Sequence, residues 1–392
     1  MMQVYLDNNA TTRTDPAVVS AMMPYFSEYF GNASSVHGLG GGVSGALRLA
    51  RRQLMTLLGA PQEQEIVFCS GGTEANNTAI HVALETLPER DEIITSTVEH
   101  AAILAPLAWA QKTRGIKLRH IPVDTHGRLD LDAYRAALGP RTALVSLMWA
   151  NNETGTVFPV GALAKMAHQA GALFHTDAVQ VIGKLPIALA GTQIDMLSLS
   201  GHKFHGPKGV GALYVRKGIK FSPLLRGGHQ ERGRRAGTEN VPAIVGVGAA
   251  AALVDSAAWS RMAALRDRLE AGILAAVPGC RVNGDAANRL PNTCNLAFEH
   301  VDGEAVLNNL ARAGIAASSG SACTSGSMEP SHVLRAMRVP LNALHGAVRF
   351  SLSAETSEAE IDYVLAVLPG IAAKARERSP LWADHLKAVN FT

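Results

Sequence analysis

Ile194-Asp195-Met196-Leu197-Ser198-Leu199-Ser200-Gly201-His202-Lys203 decides the fold. The run from Ile194 to Leu199 reads as a buried strand that carries its lysine out at the carboxyl end. A surface lysine needs no such setting. A lysine that forms a Schiff base does, because it must be partly desolvated to attack a carbonyl as the neutral amine. Upstream, Ala172-Leu173-Phe174-His175-Thr176-Asp177 repeats the design with an acid at the strand end. A lysine and an acid on neighbouring strand ends are what pyridoxal phosphate requires: an amine for its aldehyde and an anion for its ring nitrogen. Far downstream, Cys323 lies in Ser318-Ser319-Gly320-Ser321-Ala322-Cys323-Thr324-Ser325-Gly326-Ser327, a loop of small residues. It adds a mobile nucleophile to the pair.

Working outward, Ile66 to Phe68, Glu92 to Thr95, Ala143 to Leu147, Ala172 to Phe174 and Met196 to Leu199 are continuous rather than alternating runs. Such runs mark strands covered on both faces, as in a helix-wrapped, largely parallel α/β sheet. In these sheets ligands bind outside the carboxyl ends of the strands. The residues that follow the runs are Ser70 to Thr73, His100, Asn151 to Glu153, Asp177 and Lys203, all chemically capable. Near residue 257 the texture changes. Met262, Leu265, Leu269 and Ile273 share one face of a long helix, and Cys294 to Phe298 and Val348 to Leu352 read as strands around a helix from Gly303 to Ala313. The expected division is a large domain over 15–257 and a smaller α+β domain built from 1–14 and 258–392.

Composition narrows the function classes. At 392 residues, 47% hydrophobic and 18% charged, the chain has the make-up of a globular protein with a sizeable core. A formal charge of +3 is too small to argue for nucleic acid. The 4 cysteines form no CxxC pair, which suits a reducing, cytoplasmic setting. Met1 to Asp7 has neither a basic n-region nor a long apolar stretch, so no secretion signal is expected. The apolar stretch Val241 to Val254 is short for a membrane span and rich in Ala and Gly, which suits a buried helix.

Several residues carry two readings. Ser70-Gly71-Gly72-Thr73-Glu74 is either a glycine turn with a threonine N-cap or a helix start that receives an anion. Gly40-Gly41-Gly42-Val43-Ser44-Gly45 has the form GxGxxG, but no strand precedes it, so the dinucleotide reading fails. His100 is either a structural histidine or one that stacks on a ring and moves a proton near neutral pH. Asp177 could cap a helix, although a cationic ring nitrogen accounts better for a buried carboxylate. His202 and His205 flank Lys203 without an acidic third ligand, so no metal site is expected. The basic, glycine-rich run Arg226 to Thr238 lacks interleaved aromatics and suits a phosphate or carboxylate better than nucleic acid. Arg349 is either an ion-paired core arginine or a bidentate carboxylate clamp.

Tyr5-Leu6-Asp7-Asn8-Asn9-Ala10-Thr11-Thr12, Gly71-Gly72-Thr73-Glu74, Ala150-Asn151-Asn152-Glu153-Thr154-Gly155, His175-Thr176-Asp177-Ala178-Val179-Gln180, Ser200-Gly201-His202-Lys203 and Ser319-Gly320-Ser321-Ala322-Cys323 occur in that order. Together they resemble the cysteine desulfurases of the class V aminotransferase fold, over nearly the whole chain. Trp149 to Gly155, Arg226 to Asn240 and His345 to Ser351 resemble the NifS type, which serves nitrogenase, more than the related IscS type. The resemblance implies PLP fold type I with a mainly parallel seven-stranded sheet, a cytoplasmic homodimer, L-cysteine as substrate and pyridoxal 5'-phosphate as cofactor. It also implies an iron–sulfur scaffold protein as sulfur acceptor, and neither nucleic acid nor membrane as partner.

Carried over residue by residue, Lys203 holds the cofactor covalently, Asp177 pairs with its ring nitrogen and His100 stacks on the ring. Asn152 and Gln180 contact the ring oxygen, with Asn152 preferred to its neighbour Asn151. Gly72, Thr73, Ser200, Gly201 and His202 surround the phosphate, with Thr238 reaching in from the other subunit. Arg349, with Asn152, binds the substrate carboxylate. Cys323 takes the sulfur as a persulfide while Lys203 and His100 move protons. No metal of its own is implied; Cys323 would touch an iron–sulfur centre only in passing. Two other readings stand beside this one: a different PLP reaction on the same fold, such as a selenocysteine lyase or an aminotransferase, and a non-enzymatic sulfur carrier using Cys323 alone.

Overall fold

Continuous burial separates the central strands from ordinary half-exposed ones. The computed structural model describes residues 2–319, 330–380 and 382. Among these the strands are β1 (Val4–Tyr5), β2 (Ile66–Cys69), β3 (Glu92–Ser96), β4 (Lys117–Ile121), β5 (Thr142–Ser146), β6 (Leu173–Asp177), β7 (Met196–Ser200), β8 (Gly211–Val215), β9 (Cys280–Val282), β10 (Thr293–Phe298), β11 (Ile315–Ala316) and β12 (Ala347–Ser351). Every residue of β2, β3, β5, β7 and β8 is buried. β4 is the exception, with Lys117, Arg119 and His120 exposed or half-exposed. Its place at the sheet edge explains this, because charged side chains there discourage pairing with another chain.

The main sheet has seven strands in the order β2-β8-β7-β6-β5-β3-β4. β8 runs antiparallel to both neighbours and the other pairings are parallel. This is the α/β architecture expected from the sequence. The chain winds one way from β5 through β6 to β7 and the other way from β3 to β4. The reversal opens a crevice at the carboxyl ends of β3 and β5, the place where such sheets bind ligands.

Helices cover both faces. Ala75, Ala79 and Val82 from the helix Gly72–Thr86 and Ile103 and Leu107 from the helix Ala101–Arg114 form one apolar layer. The helix Gly38–Leu58 contributes Leu47, Leu54 and Leu58 to the other, and Val241–Ala252 contributes Ile244 and Val247. The small residues of the latter helix have a packing reason. A Cβ on Gly248 would fall 2.5 Å from Ala50 Cα, so a larger residue would force the two helices apart. The GxGxxG run lies inside the helix Gly38–Leu58, consistent with the rejection of a dinucleotide loop.

A second core combines Val4 and Leu6 with Leu265, Leu269, Ile273, Leu296, Phe298, Val348, Phe350, Ile361 and Leu368. It is built on the antiparallel sheet β12-β10-β9, the parallel pair β1-β11 and the helices Ala257–Ala276 and Glu358–Glu377. Truncating a fully buried leucine such as Leu269 to alanine would cost about 2–5 kcal/mol. Val333, Leu334, Met337 and Leu344 pack with the first core instead. No single helix among the described residues is long and apolar enough to cross a membrane.

Candidate active site

The crevice holds a cavity of about 350 Å³ whose wall comes from seven separate stretches of chain. Asn9 and Ala10; Gly72, Thr73 and Asn76; His100 and Ala102; Met148, Ala150 and Asn152; Asp177, Val179 and Gln180; Ser200, His202 and Lys203; and Arg349 all contribute. The sequence readings at Gly72, Thr73, His100, Asn152, Asp177, Gln180, Ser200, His202, Lys203 and Arg349 therefore meet in one place.

After β2 the chain turns at Gly71 into the helix Gly72–Thr86. Gly71 is the N-cap and supplies no side-chain acceptor; Thr73 lies inside the first turn rather than capping it. A Cβ on Gly72 would lie 2.8 Å from Val179 Cγ2, so only glycine lets the backbone approach this closely. Uncapped N–H groups and the helix dipole make this end a cradle for an anion such as phosphate.

Asp177 ends β6. Its Oδ2 accepts from Asn76 Nδ2 at 2.7 Å and its Oδ1 accepts from Val179 N at 3.0 Å. Both donors are neutral, and among the described residues no cation lies within ion-pair distance of this carboxylate. Asn76 Oδ1 is buried without a hydrogen-bond partner. A buried anion beside an orphaned acceptor is an arrangement that a protonated ring nitrogen would satisfy. The residues present thus fit pyridoxal phosphate.

Lys203 follows β7 in the short 3-10 turn Gly201–Lys203. Its Nζ donates to the carbonyls of Asn9 and Ala10, each at 2.7 Å. The neighbouring His202 meets Thr11 Oγ1 through Nδ1 at 3.1 Å. Burial, followed by the charges of Lys203, Lys208 and Lys184, pushes the His202 imidazole down to about 4, so it is neutral at neutral pH. Gly201 lies behind the wall rather than in it. A Cβ there would press on Pro207 O at 3.0 Å and on Val210 and Val247, so its small size serves packing.

His100 caps the helix Ala101–Arg114, its Nδ1 accepting from Ala102 N at 3.1 Å. An accepting nitrogen carries no proton, so the ring's proton sits on Nε2. The histidine is thus a structural helix cap, and it also lines the cavity. Beside it, Glu99 is fully buried, accepting from Ser96 Oγ at 2.6 Å and from Met148 N at 3.0 Å. Burial pushes its carboxyl up to about 8.

The adjacent asparagines part company. Asn151 donates to Val98 O at 3.1 Å and accepts from Glu153 N and Thr154 N, which commits it to the turn. Asn152 lines the cavity. Arg349 is the ion-paired buried arginine of its two readings and also lines the cavity: it is only 2% exposed and reaches Asp7 Oδ1 at 2.8 Å and Asn152 O at 2.9 Å. Its Nε finds no partner among the described residues.

Thr238 and Cys323 are not in this wall as described. Thr238 lines a different cavity, of about 240 Å³, with Ser70 and Arg235, so within one chain it does not reach the site. Cys323 falls outside the described residues. The flanks of its segment are anchored beside the cavity: Arg349 N donates to Ser318 O at 2.6 Å, and Ser331 Oγ donates to Glu153 Oε2 at 2.6 Å. Among the described residues no group of His, Cys, Asp and Glu could hold a metal ion.

A model of the family described as aminotransferase class-V matches residues 4–364. A cysteine desulfurase of Gluconacetobacter diazotrophicus is 64% identical over 97% of this chain and 96% of its own length. The chain belongs to the cysteine desulfurases of the class-V aminotransferase family. Among them, the cysteine desulfurase NifS of Azotobacter vinelandii is 56% identical over 98% of this chain and 96% of its own. A solved NifS-like protein superposes with a TM-score of 0.89 at 37% identity, covering 95% of this chain and 100% of that one. As a cysteine desulfurase of fold type I, the protein is a pyridoxal-phosphate enzyme.

Three residues near the site escaped the sequence reading. Asn76 is the buried polar residue on an inward helix face otherwise lined by Ala75, Ala79 and Ala83, and that contrast was a usable signal. Asn9 contributes its carbonyl from the opposite end of the chain, and nothing in local sequence indicates that. Lys184 lies seven residues beyond Asp177 and is only 6% exposed.

Proposed function

We propose that the cavity removes sulfur from L-cysteine, yielding L-alanine and a persulfide on Cys323 that passes to an iron–sulfur scaffold protein. The observation that carries this reading is the buried Asp177 carboxylate, held by neutral donors beside the orphaned Asn76 oxygen, in the same cavity as Lys203.

Pyridoxal phosphate, when bound, supplies an electrophilic carbon for an amino group and a ring that delocalises the electron pair left by a departing Cα proton. Lys203 would hold the cofactor through Nζ, and the same amine would take the Cα proton of the substrate. Asp177 holds the proton on the ring nitrogen, and Asn76 keeps the carboxylate turned toward it. His100 stacks on the ring. The N-terminus of the helix Gly72–Thr86, with Thr73, Ser200 and His202, holds the phosphate, joined by Thr238 of a second copy. Asn152 and Gln180 donate to the ring oxygen, and Arg349 with Asn152 holds the substrate carboxylate.

Cys323 then attacks the substrate sulfur as a thiolate. The new bond is sulfur to sulfur, and the bond that breaks is between sulfur and Cβ. The electron pair passes to Cβ, which is protonated. In sum, cysteine and an enzyme thiol become alanine and an enzyme persulfide, with His100 moving a proton. The anchoring of Ser318 and Ser331 beside the cavity supports this role for a cysteine between them in the chain.

The same reading takes the chain as a homodimer with domains 15–257 and 1–14 plus 258–392. Exposed Met23, Phe26, Tyr29, Phe30, Val36 and Leu39, clustered in one stretch, favour a second copy. The three described cysteines are free, which suits the cytoplasm. Likeness to NifS favours nitrogenase cluster assembly as the destination of the sulfur.

Cys323→Ala tests the reading. The variant should bind pyridoxal phosphate and exchange the Cα proton of cysteine, yet release no alanine and carry no persulfide. Alanine release and sulfur delivery to a scaffold protein, measured on one preparation, decide the matter; wild-type rates of both would leave only a generic PLP enzyme.

A further inference from the structure

Lys184 is a buried cation that the reaction above does not use. Its Nζ donates to Gln180 O at 3.1 Å and lies 3.3 Å from Gln180 Oε1. Among the described residues no carboxylate lies within ion-pair distance of it, so the lysine is satisfied largely by this one glutamine. Gln180 Nε2 donates in turn to Asn9 O at 3.0 Å, the same carbonyl that receives Lys203 Nζ at 2.7 Å. Lys184 and Lys203 also share the wall of a second cavity, of about 140 Å³, behind the first.

A glutamine amide can present either its oxygen or its N–H groups to a cavity, and the two ends are nearly equal in size. An ammonium has only donors, so it selects the oxygen. With Oε1 turned to Lys184 and one N–H given to Asn9, the second N–H remains for an acceptor in the cavity. We propose that Lys184 is a positioning residue that fixes the amide of Gln180 so that its donor end serves the ring oxygen of the cofactor. The proposal rests on the assignment of Gln180 to that oxygen and extends it.

Its buried position gives the lysine a second property. Burial, then the charges of Lys203 and Arg349, push its ammonium down to about 7. The acids Asp15, Asp255 and Glu355 line the rear cavity with it. Loss of its proton leaves an amine that can still donate to Oε1, but a neutral donor holds the oxygen more weakly than a charged one.

The test compares pyridoxal phosphate dissociation constants, read from the visible absorbance, in wild type, Lys184→Met, Gln180→Leu and the double variant. Lys184→Met alone should weaken cofactor binding about tenfold, the loss of one hydrogen bond to a charged group. In the Gln180→Leu background the same change should have almost no further effect, because the amide it positions is gone. Equal losses in both backgrounds, or none in the first, would overturn the proposal. Methionine fills a similar volume without a buried charge, so the variant is expected to fold. Should it not fold, Gln180→Glu provides the test. It keeps an oxygen for Lys184 but removes every amide donor, so cofactor affinity should fall while the thermal stability of the apoprotein holds. Wild-type affinity in Gln180→Glu would refute the assigned orientation. Failure of wild type itself to bind the cofactor would instead sink the site reading on which the proposal rests.

Discussion

The chain leaves the adjacent strands β6 and β7 through two short segments that each reach a lysine, and the two lysines have opposite surroundings. Lys203 lines the main cavity with two carbonyl acceptors at 2.7 Å. Lys184 sits behind Gln180 among like charges, and burial has pushed its ammonium down to about 7. A depressed proton affinity is often taken as the mark of a nucleophilic lysine. Lys184 has one without lining the main cavity. On the proposed reading, reach rather than proton affinity gives Lys203 the covalent role, and Lys184 acts through the glutamine it touches.

The most severe way to break this comparison is Lys203→Ala. In the proposed reaction one residue is both covalent anchor and Cα base, so turnover should fall on the order of 10⁴-fold or more with the fold intact. Lys184→Met should keep covalent attachment. Borohydride trapping and the visible spectrum check both variants; a trapped adduct in Lys203→Ala would assign the chemistry to another amine.

A smaller effect is expected at the end of β6. Asp177→Asn removes the anion but leaves the phosphate cradle at Thr73, Ser200 and His202. Cofactor should be retained while Cα-proton exchange drops about 10²- to 10³-fold, the range for losing one electrostatic partner of a developing charge. Isotope exchange from labelled cysteine measures this, and undiminished exchange would argue against the pairing.

The mildest test concerns pH. The proton affinity of Lys184 is lower in the folded chain than in the unfolded one. Between about 7 and its ordinary 10.5, the unfolded state therefore binds more protons, and this group makes stability rise with pH. Below that window both states are protonated and the penalty is fully present. The apoprotein Tm of Lys184→Met minus that of wild type should thus increase as pH falls from about 10 toward 7 and then level off. A difference independent of pH would mean that the lysine is not desolvated as its contacts indicate.

Particular residues mark how far the sequence could be read. The strands ending at Asp177 and Ser200 were legible because both faces are covered, and continuous apolar runs record that locally. The order of the readings at Gly72, His100, Asn152, Asp177 and Lys203 was legible for a related reason: open parallel sheets put ligand groups at strand ends. Arg349 was not decidable, because its ion pair with Asp7 and its place in the cavity depend on residues 342 positions apart in the chain. Asn151 and Asn152 were separable only once the turn from Asn151 to Thr156 had closed around the first of them.

By itself, then, the sequence determined the layered architecture and the strand ends whose side chains line the cavity, Asp177 and Lys203 among them. These follow from local burial patterns and from what each side chain can do. Only the tertiary structure decided that Asn76 donates to Asp177, that the carbonyl of Asn9 is shared by Lys203 and Gln180, and that Lys184 lies against the amide oxygen of Gln180. Such hydrogen bonds depend on ångström-scale approaches between segments distant in the chain, and no local pattern encodes a distance of that kind.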